Sequence, residues 1–178
     1  MTLVALIAGA GWGLSHRGDV PFRLDHISDV QLSYYLANQA LYAGDMDEVP
    51  RYMQRVEELG QDPRTLCPGV TIDLQIQDGT WPFCDPNKVK LPAEVSRWTT
   101  SQLVHARDLA RVGDLDDAVA GAREVLKLDP YHVEAHQALA LWLGQNGDNS
   151  GATEHDEIAA RIIKGQTQAL EWNTVRRL

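Results

Sequence analysis

The sequence predicts an all-α protein of about three helical hairpins, with a proline-rich, partly extended insertion between the first and second. Three observations carry this. Gly113-Asp114 and Gly147-Asp148 lie 34 residues apart, and Ala118 and Ala152 keep the same offset. Gly44-Asp45 stands 69 residues before Gly113-Asp114, close to two such periods. Pro63, Pro68, Pro82, Pro86 and Pro92 crowd one stretch, and proline is excluded from helix interiors. The chain divides into residues 1–20, an apolar N-terminal segment; 21–63, a first hairpin; 64–98, the insertion; and 99–178, two hairpins with a C-terminal capping segment.

Residues 2–14 (TLVALIAGAGWGL) carry no charge. Thirteen residues of helix extend about 20 Å, short of the ~30 Å hydrocarbon core. The stretch fits the end of a membrane anchor, a signal-peptide hydrophobic region, an interfacial segment or a buried first helix. No basic stretch precedes it, which argues against a signal peptide. Its glycines and Trp12 suit a membrane boundary, where Trp is enriched.

Val30–Ala43 places Leu32, Tyr35, Leu36, Ala40 and Leu41 at helical intervals. A second helix is expected over Val49–Leu59, with Pro50 tolerated in its first turn. In the insertion, Thr71–Gln77 alternates, with Ile72, Leu74 and Ile76 on one side, before the turn signal Asp78-Gly79. This predicts an extended, hairpin-forming element packed on the helices. Lys88–Trp98 leads back into helix. Cys67 and Cys84, the two cysteines of the chain, bracket the insertion. A bond between them would stabilise by roughly 3 kcal/mol in the chain-entropy model and would imply an oxidising compartment. Two free thiols in a cytoplasmic protein is the other reading.

Over Ser101–Val112, Leu103, Ala106, Leu109 and Ala110 share one helical face until Gly113 stops the helix. Asp114 or Asp116 can cap the next helix, where Ala118, Val119, Ala122, Val125 and Leu126 repeat up to Asp129-Pro130. The second copy runs from Val133 to Gly144, turns at Gly147-Asp148 and continues through Ala152, Ala159 and Ile162. The segment Gln166–Trp172 either caps the last hairpin or extends its helix, since terminal units need a cover for their apolar face.

A 34-residue period with Gly in the inner turn, Ala five residues later and Pro130 at the unit's end resembles the tetratricopeptide repeat. The resemblance implies stacked helix-turn-helix units that bind other proteins through the concave face lined by the first helix of each hairpin. Those positions correspond to Tyr34, Asn38 and Tyr42 in the first copy, Leu103, Arg107 and Arg111 in the second, and Glu134, Gln137 and Leu141 in the third. Gln102 and His136 replace the large aromatics the family often places early in the first helix. Asp156 stands where a large apolar residue is usual, so the last copy is degenerate or terminal. Arg107 and Arg111, one turn apart, could grip a carboxylate of an acidic peptide.

The formal net charge is −9 and the pI about 5.0, which argues against nucleic acid as a partner. The motifs GxSxG, GxGxxG and the P-loop are absent. His132 and His136 form an i, i+4 pair, but HVEAH is not the zinc-protease order and no third ligand is evident. Both His136 and His105, on an apolar face, read as structural histidines. No cofactor, metal or catalytic residue is expected. The expected function is a non-catalytic protein-protein interaction scaffold or assembly factor, such as one of a bacterial membrane complex. It would be membrane-associated through residues 2–14, with the domain in the periplasm. The alternatives are a permanently buried structural subunit of a large membrane assembly and a soluble cytoplasmic adaptor.

Overall fold

A computed structural model describes residues 29–67, 72–77, 79–84 and 88–175; the apolar stretch 2–14 lies outside them. Within them the protein is mostly helical. The elements are α1 (Asp29–Ala43), α2 (Glu48–Glu58), a 3-10 turn (Pro63–Leu66), β1 (Ile72–Ile76), β2 (Gly79–Phe83), α3 (Ala93–Arg111), α4 (Leu115–Leu128), α5 (Val133–Gln145) and α6 (Asn149–Val175).

The Gly-Asp repeat is one turn made three times. Gly44, Gly113 and Gly147 all lie at positive φ, +79°, +92° and +89°. In each copy the glycine N–H reaches back to Leu41, Ala110 or Gly144, and the next aspartate N–H to Ala40, Leu109 or Leu143. These are the two bonds of the Schellman motif, which satisfy the last carbonyls of a helix. In the second and third copies the same aspartate opens the next helix: Asp114 accepts from the Asp117 N–H and Asp148 from the Gly151 N–H. The result is three hairpins, α1–α2, α3–α4 and α5–α6, each joined by a short turn.

Their order in space is not their order in the chain. The α3–α4 hairpin packs through α4 on α5, and α6 packs on α1. The first hairpin in sequence therefore stands last, against the final helix. Backbone meets backbone there: a Cβ on Gly165 would lie 1.5 Å from the Tyr42 carbonyl oxygen. Only glycine fits this crossing. Around it, Ile162 is fully buried, Gln166 Nε2 donates to Gln39 Oε1 at 2.9 Å and Arg161 pairs with Asp45 at 2.8 Å. The last helix extends through Gln166, and the α1–α2 hairpin covers its apolar face.

Two cores result. One, inside α3–α4 and α5, gathers Leu103, Ala106, Ala118, Ala122, Val125, Leu139 and Trp142. The other centres on α1 and draws in Met53 and Val56 from α2, Ile76, Trp81 and Phe83 from the hairpin, Val95 at the start of α3, and Tyr131 and Ile162. α1 is buried on almost every side, including Ser33, Asn38 and Gln39. β1 and β2 pair antiparallel with Leu74 opposite Trp81 and Ile76 opposite Gly79. Cys67 and Cys84 form a disulfide with Cα atoms 5.7 Å apart, in the ordinary range for such bonds. It ties the 3-10 turn to the end of β2. Among the described residues no helix is long and apolar enough to cross a membrane.

Gly165→Ala should lower stability by about 3 kcal/mol, because backbone cannot yield to an added methyl as a side chain does. That corresponds to a melting temperature roughly 6–12 °C lower for a chain of this size. Gly144→Ala is the control, since its Cβ meets only the Ala152 methyl at 3.6 Å. It should be neutral or slightly stabilising, by up to about 1 kcal/mol. Thermal melts of the two variants side by side check both signs.

Candidate functional site

The face offered by the first helix of each hairpin is treated differently in the three copies. Counted back from the turn glycine, Asn38, Arg107 and Leu141 are equivalent, and so are Tyr42, Arg111 and Gln145. On α1 this face is occupied by the protein's own insertion. Tyr34 is 2% exposed; its hydroxyl donates to the Pro82 carbonyl at 3.1 Å and lies 3.4 Å from Cys84 Sγ. The Tyr42 hydroxyl donates to the Cys84 carbonyl at 3.2 Å. Burial pushes the Tyr34 phenol up to about 12, so it remains a donor throughout the physiological range. Asn38 is fully buried and donates to the Tyr34 carbonyl at 2.7 Å. Of the residues the repeat pattern assigns to the concave face, Tyr34 and Tyr42 thus hold the insertion, and Asn38 is buried.

On α3 and α5 the same face is open. Arg107 is exposed and makes no ion pair among the described residues. Arg111 pairs with Asp108, and both are exposed; such surface pairs contribute little and exchange readily. Gln137 is exposed, and Leu141 is 58% exposed. Leu103, by contrast, is buried in the core, and its neighbour Val104 takes the outer position at 49% exposure. Val104 escaped the sequence reading because a helical stripe fixes a face only to within a residue. The open face therefore carries two cations, an amide and two large aliphatic side chains.

The histidine pair of α5 does not converge. His132 turns back to cap its own helix, with Nδ1 accepting from the Ala135 N–H at 3.3 Å. His136 points the other way, into the α5–α6 contact. Its Nε2 lies 2.9 Å from the Pro130 carbonyl, and its Nδ1 lies 2.9 Å from Nδ1 of His155. A carbonyl only accepts, so the His136 proton sits on Nε2, and Nδ1 accepts from the His155 N–H. His136 is the structural histidine its position suggested. His105 is not: it is exposed, because Leu103 and Ala106 carry the buried face of α3. Among the described residues no group of three or more His, Cys, Asp or Glu side chains could hold a metal ion.

Burial is the main cause holding both imidazoles below the ordinary histidine value, with the cationic neighbours Arg161 for His136 and Arg123 for His155 adding to it. A histidine whose folded pKa is lowered stabilises the fold fully above the unfolded value, about 6.5, and that stability is lost as the pH falls below it. Between pH 7.5 and 5.5 the melting temperature should fall, and His155→Gln should fall less steeply. Parallel slopes for the two proteins would show that the pair does not titrate as the geometry requires.

Comparison with protein-family models, with characterised proteins and with solved structures finds no match to this chain.

Proposed function

We propose that the protein is a non-catalytic binding scaffold of the tetratricopeptide-like kind, whose open α3–α5 face takes an extended acidic segment of a partner protein. One observation carries the reading. The insertion already lies on the equivalent face of α1 as an extended strand, held by side-chain hydroxyls of Tyr34 and Tyr42 on its backbone carbonyls. The face thus holds an extended chain on α1, and on α3 and α5 its equivalent positions Arg107, Arg111, Gln137, Leu141 and Gln145 stay exposed, while Leu103 is buried. Arg107 and Arg111 would supply charge-assisted bonds to carboxylates, with Arg favoured for its fork of donors. Leu141 and Val104 would supply the apolar contact. The Cys67–Cys84 bond supports an oxidising compartment, in keeping with the proposed periplasmic location and attachment to a membrane through residues 2–14.

A peptide-display selection on the wild type and on the double variant Arg107→Glu, Arg111→Glu tests this. The wild type should enrich sequences with a carboxylate near an aliphatic residue, and the variant should bind them at least about tenfold more weakly. The variant's melting curve should match the wild type, because both arginines are exposed. Equal enrichment on the two proteins, or none on either, would remove the groove as the binding surface.

A further inference from the structure

The β1–β2 hairpin of the insertion has one edge that the protein covers and one that it leaves open. Proline has no N–H, so Pro82 cannot exchange both ladder bonds with Asp73 opposite it. This is therefore a non-hydrogen-bonded pair. Such pairs alternate with bonded ones in an antiparallel ladder, so the bonded pairs are Leu74–Trp81 and Ile76–Gly79. Pro82 and Cys84 then point their carbonyls outward from β2, where the hydroxyls of Tyr34 and Tyr42 on α1 donate to them. On β1 the outward groups are the N–H and C=O of Asp73 and Gln75. Of the described elements, β2 is the one whose backbone runs beside β1, and no described backbone group outside the hairpin bonds to these four.

Strand edges are usually blunted by lysine, proline, a bulge or a covering segment. β2 has Pro82 and the cover of α1. β1 (IDLQI) contains neither proline nor lysine, and its register against β2 is unbroken by a bulge. Its single charge, Asp73, is neutralised by Arg64 at 3.0 Å. Asp73 and Gln75 are exposed, and Leu74 between them is only half-buried. A second copy of β1, run antiparallel, fits this edge in register and in charge. When the two strands overlap over their full length, Asp73 faces Gln75 of the second copy and Leu74 faces its own equivalent. Both outward residues then form bonded pairs, four backbone hydrogen bonds in all. No charge stands directly opposite its like, and the two leucines make the close central pair.

We propose that two copies of this chain join through their β1 edges into one four-stranded antiparallel sheet, with the two-fold axis at Leu74. An isologous contact of this kind closes at two copies. The outer edge of β2 is shut by Pro82 and α1, so the sheet takes no third hairpin. The pairing also widens a two-stranded hairpin, an element with little stability of its own. The contact is small, so the dimer is weak and forms at high local concentration. It does not use the α3–α5 face, and either reading can fail alone.

Sedimentation equilibrium of the full chain, with amide hydrogen exchange at low and high concentration, tests this. A monomer–dimer Kd on the order of 100 µM is expected. The Asp73 and Gln75 amides should exchange freely in dilute protein and slow as the dimer forms. In a mixture of isotope-labelled and unlabelled protein, the Leu74 α-protons should give an intermolecular cross-peak. Gln75→Pro removes an N–H that the hairpin does not use and should weaken the dimer at least about tenfold. The exchange measurement needs only the wild type, so it decides the matter even if the proline variant unfolds the hairpin. A monomer up to about 1 mM, or a dimer that survives Gln75→Pro with the hairpin intact, would overturn the proposal. So would slow exchange of both amides already in the monomer, or protection that appears only elsewhere.

Discussion

The crossing of α6 over α1 at Gly165 is the contact on which the rest of the structure depends. Helix axes normally stay 8–10 Å apart because side chains stand between them. Removing the side chain at one position lets the Tyr42 carbonyl come within 1.5 Å of where a Cβ would be. The polar contacts that flank it, Gln39 with Gln166 and Asp45 with Arg161, fix the register of the two helices. They contribute little energy on their own, since a half-exposed ion pair contributes roughly 0–1 kcal/mol. The energy comes from burying α1.

Once α1 sits on α6, much else follows. The chain leaves α2 at the far end of the hairpin stack and must return to begin α3, and the insertion makes that return. Its hairpin lies across α1, with Trp81 and Phe83 closing the core and the disulfide fixing its end. The groove on α1 is consumed by this return path. The equivalent faces of α3 and α5 are not covered in this way, and Arg107, Arg111, Gln137 and Leu141 stay exposed there.

The hairpins themselves were legible in the sequence because their turns obey local rules. A Gly-Asp pair after an apolar helical run has one low-cost conformation, and all three copies adopt it. The alternation around Leu74 and Ile76 and the proline crowding were legible for the same reason. The order of the hairpins in space was not, because a repeat pattern records what each unit buries and not which unit it meets. A signal existed: residues 30–44 carry no charged side chain, as a helix surrounded on most sides requires. Gly165 inside the last helix was a second, since glycine in a helix interior costs about 1 kcal/mol unless packing requires it. Of the face residues, the arginines, Gln137 and Leu141 are exposed, whereas Tyr34 and Tyr42 bond to an insertion whose path no local rule predicts. Asp129 read as a proline-flanked helix end, and its bond to the Tyr35 hydroxyl spans nearly a hundred residues of sequence.

The central claim is that the first hairpin closes the stack against the last helix. The most direct measurement is the nuclear Overhauser contact between the Gly165 α-protons and the Ala43 amide proton in isotope-labelled protein. Gly165 approaches the Ala43 nitrogen closely enough that a Cβ would lie 3.4 Å from it, so a strong cross-peak is predicted. Its absence, with contacts from α2 to α3 in its place, would mean that the hairpins stack in chain order and would contradict the account.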